Sequence, residues 1–260
     1  MRRFKDLDRF EVLCWVFTLA AILFLAGPVA GLLLSVDPDF FAHDARDPEI
    51  WRSLKITVFS GFASSMLGLV TGLPLAWVLS TSSVRVRNTI EPLIEIPILL
   101  PPVIAGICLV SFLSEKSIVG GIFSRLGIEF ISSVWGIVAG MYFVGVPFIV
   151  KTSLSAFQEI DHRIIRTARL LGAGSARAFF TIVLPHSSRA ILTGFILMLG
   201  RSIGIFGTVV MIAYEPKTVP VLVYHRFVSM GIEAAKTPAV LLIGLSLLFF
   251  AMRRLTVRGS

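Results

Sequence analysis

One arginine sits where charge is expensive. Arg201 lies in an apolar run, about 15 residues in from His186, which is roughly 20 Å along a helix rising 1.5 Å per residue. A guanidinium at that depth faces a cavity or a partner. Glu95 is the acidic residue inside another apolar run, so a structural Arg201–Glu95 ion pair is the plainer alternative. Nothing nearby completes a catalytic set. There are no paired carboxylates, no nucleophile elbow and no His/Asp or Ser/Lys constellation, and no catalytic residue is assigned. Gly-x-x-x-x-Gly-Lys-[Ser/Thr] is absent, so no nucleotide site of that type is expected in this chain. Cys14 and Cys108 both fall in apolar runs, without a disulfide framework or Cys-x-x-Cys spacing. His43, His162, His186 and His225 are scattered, and no metal site is predicted. No enzymatic activity is expected of this chain.

The elements that place these residues are membrane helices. The 260 residues are 55% hydrophobic and 15% charged, where a soluble domain carries roughly 25% charge. The apolar residues gather in blocks long enough to cross about 30 Å of hydrocarbon as helix. Six spans are predicted, at 11–35, 53–80, 90–113, 132–157, 186–214 and 235–254. They form an all-α domain over 11–254, with a cytoplasmic N-terminus at 1–10 and a tail at 255–260. Met1-Arg-Arg-Phe-Lys looks like a signal-peptide start, but the apolar stretch behind it exceeds a cleaved core of 7–15 residues and reads as a retained helix. With both ends inside, fifteen of the 24 Lys and Arg residues fall in inner segments and eight in outer ones. That distribution explains the net charge of +8 better than nucleic-acid binding does.

Gly27/Gly31, Gly68/Gly72, Gly136/Gly140 and Gly200/Gly204 each form Gly-x-x-x-Gly, which lets helix backbones approach closely. The third span carries Pro97, Pro101 and Pro102, which interrupt its hydrogen-bond ladder. Such a break lines a substrate path or is a kink needed for packing.

Between the fourth and fifth spans the chain turns polar over 158–185. Asp161 is placed to cap a helix over 162–171, Gly172 and Gly174 to end it, and Ser175 to cap its continuation. By itself this is a site for something outside the membrane to grip, or an amphipathic helix whose arginines meet lipid headgroups. Gly172, nine residues, then Ile182-x-Leu184-Pro185 resembles the cytoplasmic loop of ABC-importer permeases, whose pattern is Glu-Ala-Ala-x-x-x-Gly-x9-Ile-x-Leu-Pro. Ala168 agrees with the first half of that pattern, whereas Arg166 and Thr167 stand where Glu and Ala are usual. The resemblance implies a coupling helix that docks on a cytoplasmic ATPase subunit. Ala168, Leu170, Leu171, Gly172, Ala173, Gly174, Ser175 and Arg177 would form its docking surface.

The fifth span extends the likeness. Arg201, Gly204, Phe206 and Gly207 match the Ala-Arg-Ala-Leu-Gly-Glu-Phe-Gly region of permeases for molybdate, tungstate and sulfate, with Ile205 in place of the Glu. Leu100-Pro101-Pro102 with Gly106, and Val146-Pro147-Phe148, are further matches. The resemblance implies an inner-membrane permease of a bacterium or archaeon, working as two copies of itself with an ATPase dimer and an extracytoplasmic binding protein. ATP and magnesium would be bound by the ATPase, leaving this chain without a cofactor. An oxyanion path needs donors without fixed anions, which points to Arg201, Ser202 and Thr208, with Pro101, Pro102, Gly204 and Gly207 shaping it. The acidic first outer loop, with Asp37, Asp39, Asp44, Asp47 and Glu49, would not attract an oxyanion, which favours delivery by a docked protein over free capture. It is equally readable as solvated turn. Importers of sulfate, iron or a small organic solute, and an ion-driven secondary transporter, are the alternatives.

Overall fold

Apolar runs bounded by polar caps fold as long helices in the computed structural model, which describes residues 9–257; no strand occurs among them. The expected inner segments at 1–8 and 258–260 lie outside the described residues. Helix α1 (Arg9–Leu34) buries no side chain over Phe10–Leu34 and meets the rest of the described residues mainly at the last helix. Helices α2 (Pro38–Asp44) and α3 (Pro48–Thr81) each begin with a proline behind an aspartate cap. Asp37 accepts from Asp39 N at 2.9 Å, and Asp47 from Glu49 N at 2.8 Å. Proline suits the first turn because its missing N–H would be unpaired there anyway.

The third span is not one helix. Helix α4 (Val84–Leu99) and helix α5 (Pro102–Leu113) meet at 110°. Pro101 and Pro102 have no N–H to give, and a residue before proline is pushed out of helical backbone. Leu100 and Pro101 accordingly take ψ of 137° and 133°. Pro92 and Pro97, by contrast, are accommodated inside α4. Helix α6 (Ile118–Arg125) precedes α7 (Val134–Glu159), the central helix, which packs on α3, α4, α5 and the fifth span.

The polar segment comprises α8 (His162–Leu170), α9 (Ser175–Ala178), a π-helical turn at Phe179–Val183 and α10 (Leu184–His186). The fifth span then runs as α11 (Ser188–Ile203), breaks, and resumes as α12 (Gly207–Ile212). Helices α13 (Val219–Met230) and α14 (Ile232–Val257) form a hairpin about Gly231, whose φ of +90° suits glycine. Helices α1, α3, α7 and α14 are each long and apolar enough to cross a membrane. The count reaches six if the α4–α5 pair and the pair of Ser175–His186 with Ser188–Ile203 each cross once.

Two of the four glycine pairs lie at internal helix contacts. A Cβ on Gly68 would stand 2.6 Å from Met198 Sδ, and one on Gly72 3.2 Å from Val150. Gly136 and Gly140 pack on α12. Gly27/Gly31 and Gly200/Gly204 meet no side chain of their own fold. Along α3 the buried stripe is correspondingly small: Ser53, Thr57, Ser60, Gly61, Ser64, Ser65, Gly68 and Gly72. Small side chains there let α7 and α11 approach closely.

Candidate coupling and translocation sites

Helix α8 ends as its sequence predicts, by a paired turn. Gly172 N donates to Arg169 O, and Ala173 N to Ala168 O, both at 3.0 Å, while Gly172 takes φ +88°. That pattern uses up carbonyls a helix end leaves orphaned, and the left-handed residue it needs is glycine. Asp161 does cap α8, accepting from Arg163 N at 2.8 Å. The cap of α9 differs from expectation. Gly174 occupies it, and Ser175 is one position inside, where its Oγ accepts from Arg169 Nη2 at 3.3 Å across the turn. The exposed rim carries Leu170, Leu171, Gly172, Gly174, Ser175 and Arg177, with Ala168 and Ala173 half-buried. Leu170 and Leu171 are 88% and 84% exposed, so two leucines project from a polar segment uncovered by any of the described residues.

Beneath that rim lies an anchor. Ile165, Ala178 and Val183 are buried against Ala76 and Leu79 of α3 and Val150, Leu154 and Phe157 of α7. Phe179 touches both Trp77 and Phe157, with ring centroids 5.4 and 5.9 Å away. Packed aromatic rings thus join the rim to the ends of two long helices. Sequence reasoning missed these anchors. Their signal was the aromatic and branched residues interleaved with the arginines at 164–183.

The translocation candidates separate into two groups. Arg201 is exposed and makes no hydrogen bond or ion pair among the described residues, on a face shared with Gly200 and Gly204. Ser202 is buried, its Oγ 3.5 Å from the Met141 carbonyl of α7. Thr208 is fully buried and its Oγ1 donates to the Pro102 carbonyl at 2.9 Å. Gly207 lies where a Cβ would stand 2.9 Å from Pro102 Cβ, so the two broken spans touch at that point. Ile205 points into the core between α5, α7 and α12, where a carboxylate would be costly to bury. Glu95 pairs with Lys151 of α7 at 2.5 Å and not with Arg201, a difference from the alternative weighed on sequence.

At the opposite end of the bundle, the acidic segment between α1 and α3, expected to face outward, is structured. Arg226 of α13 is 4% exposed; it donates to Asp44 at 2.9 and 3.0 Å and also pairs with Asp47. Lys217 bridges Glu215 at 2.6 Å and Glu49 at 3.0 Å. Its hydrogen bond to Glu215 raises the ammonium pKa above the ordinary 10.5; burial opposes the rise and Glu49 adds to it. A raised lysine stabilises the fold fully below that ordinary value and stops doing so as pH climbs through the raised one.

Residues 64–259 match the family described as "Binding-protein-dependent transport system inner membrane component". The chain belongs to this family of ABC-importer permeases. A relative named molybdate/tungstate transport system permease protein WtpB, from Methanocaldococcus jannaschii, is 32% identical over 249 residues, covering 96% of this chain and 97% of the relative. Its namesake in Pyrococcus furiosus is 31% identical, covering 97% and 99%. A sulfate transport system permease protein CysT from Synechocystis is 29% identical, covering 94% and 90%. Among solved structures, a bacterial alginate ABC transporter in complex with a pentasaccharide-bound periplasmic protein superposes with TM-score 0.77 at 19% identity, covering 98% of this chain and 99% of that one. The MetNI methionine transporter gives 0.62 at 20% identity, covering 81% and 94%. The permease fold thus holds across very different cargoes, and within it this chain retains Ala168, Gly172, Ile182, Leu184 and Pro185 of the loop pattern.

Proposed function

We propose that this permease imports a tetrahedral oxyanion, tungstate or molybdate before sulfate, powered by a separate ATPase. It works as a homodimer in the inner membrane of a bacterium or archaeon, with both ends cytoplasmic. Two ATPase subunits grip the rims around Gly172, and an extracytoplasmic binding protein delivers cargo to the outer face. ATP and magnesium reside in the ATPase, since the chain carries no phosphate-binding loop.

The observation that carries the cargo assignment is Arg201. It is a guanidinium deep in a span, exposed and without a partner among the described residues, on a helix face made bare by Gly200 and Gly204. Left against lipid it would be costly; against a water-filled path it is a donor for an anion's oxygens. The names of the full-length relatives support the same cargo class. Within this reading Arg201 and Gly204 line the path. Pro101, Pro102, Gly207 and Thr208 hold its broken helices together, and Ser202 fastens α11 to α7.

Uptake of labelled tungstate into proteoliposomes holding the permease, its ATPase and its binding protein tests the proposal. Accumulation is expected only with ATP and the binding protein present. Uptake driven by an ion gradient without ATP rejects it.

A further inference from the structure

Glu95 and Lys151 are charged groups inside the membrane-spanning part of the fold, and neither is buried. Lys151 lies eight residues before Glu159, the end of α7, and Glu95 eleven after Val84, the start of α4. At 1.5 Å per residue both stand roughly 12–16 Å in from the same side. Their side chains remain 55% and 39% exposed although they touch each other at 2.5 Å. Two half-exposed charges facing hydrocarbon would be heavily penalised, whereas facing water they are not. Glu91, one helical turn back along α4, has no partner among the described residues, so acidic character continues toward that end.

The packing of α7 on α11 fixes the level relative to Arg201. Gly145 lies against Met198 and Ser202, and Gly194 against Ile149 and Thr152. The two helices therefore run antiparallel, with Lys151 level with about Gly194. That is seven residues before Arg201, or roughly 10 Å nearer the cytoplasmic end.

Resting on the oxyanion reading above, we infer that Lys151 is a second cargo station and Glu95 its displaceable counter-ion. An oxyanion leaving Arg201 reaches Lys151 and replaces the carboxylate. Glu95 then returns to Lys151 and expels the anion toward the cytoplasm. The carboxylate keeps the station weak, which a path must be if cargo is to leave it. Arg201, with no such competitor among the described residues, is the tighter of the two.

The test is equilibrium binding of labelled tungstate to the permease–ATPase complex in nanodiscs, without ATP or binding protein. Glu95→Gln keeps the side-chain shape and removes the competitor, so tungstate is expected to bind roughly tenfold tighter than to wild type, about 1.4 kcal/mol by the usual conversion. The gain is expected to vanish in Glu95→Gln with Lys151→Gln, and this subtraction also removes any anion held by the ATPase. In proteoliposomes, Lys151→Gln is expected to slow turnover several-fold, with half-saturation by the binding protein unchanged and Lys151→Arg restoring the rate. A pair that merely clamps α4 to α7 gives no tightening in Glu95→Gln, and that result overturns the inference. If the wild-type complex imports tungstate while Glu95→Gln shows no gain, the parent function stands and only the counter-ion role falls. If it imports no oxyanion, both fall.

Discussion

Gly172 and Gly174 stand two positions apart in one turn, and their backbones make different demands. Gly172 has φ +88°, where a Cβ costs roughly 1–2 kcal/mol even though no neighbour lies within 4 Å of it. Gly174 has φ −65° and equally open surroundings, so alanine there meets no backbone strain and loses only glycine's advantage as a cap, roughly 0.5–1 kcal/mol. Gly172→Ala is expected to cut ATP-driven uptake several-fold and weaken co-purification of the ATPase, with Gly174→Ala close to wild type in both assays. Equal loss in the two variants would mean that the partner reads glycine itself, not the turn. Arg226 makes a different residue-level case. Arg226→Ala strands Asp44, which is 16% exposed, and Asp47, at 34%. A fully buried pair broken in this way costs 3–5 kcal/mol, and the partial exposure of Asp47 places the expected loss near the lower end, about 3. Thermal unfolding in detergent reads it. Arg226→Lys recovers only part, because a single ammonium cannot span two carboxylates as a guanidinium does.

Among elements, the proposed coupling role rests on how the polar segment is anchored and on the α5–α12 junction. Phe179 joins the π-helical turn to Trp77 and Phe157. Phe179→Ala removes that ring contact at a cost of roughly 2–3 kcal/mol, somewhat below a fully buried phenylalanine because Phe179 is half-buried. The expected signature is uncoupling: ATP hydrolysis continues while uptake falls. Parallel loss of both activities would instead indicate that the subunits no longer assemble. Much of this arrangement was legible beforehand. Apolar blocks gave the four long helices α1, α3, α7 and α14, Asp161 and Gly172 gave the bounds of α8, and Pro101 gave the break between α4 and α5. Other features were not legible. Helices α2, α6 and α13 are short and sit between spans, so no long apolar run announces them. Thr208 reads as a free donor until Pro102, more than a hundred residues away, is placed against it. Glu95 reads as a partner for Arg201, and only the packing of α4 on α7 brings Lys151 to it instead.

For the whole molecule, the decisive question is which surfaces meet water, lipid or a second copy. Helix α1 is exposed along its length, as are the Gly200–Arg201–Gly204 face of α11 and the α8 rim. These surfaces differ in kind. The α1 surface is apolar and suits lipid, the rim is polar with two leucines, and the α11 face joins a guanidinium to bare backbone. A thiol reports the difference, because the reactive form is the thiolate, which needs water. The chain has only Cys14 and Cys108, so a cysteine-free background takes two substitutions. In it, Gly200→Cys and Gly204→Cys have room within the fold, and Ser202→Cys points into the α7 contact. A membrane-impermeant maleimide is expected to label positions 200 and 204 and leave 202 unmodified. Labelling is expected to change rate when ATP analogues hold the ATPase closed, since an alternating path opens to one side at a time. Unreactive thiols at 200 and 204 in every nucleotide state would place that face against lipid or a sealed interface, and Arg201 would then lose its role as a cargo contact.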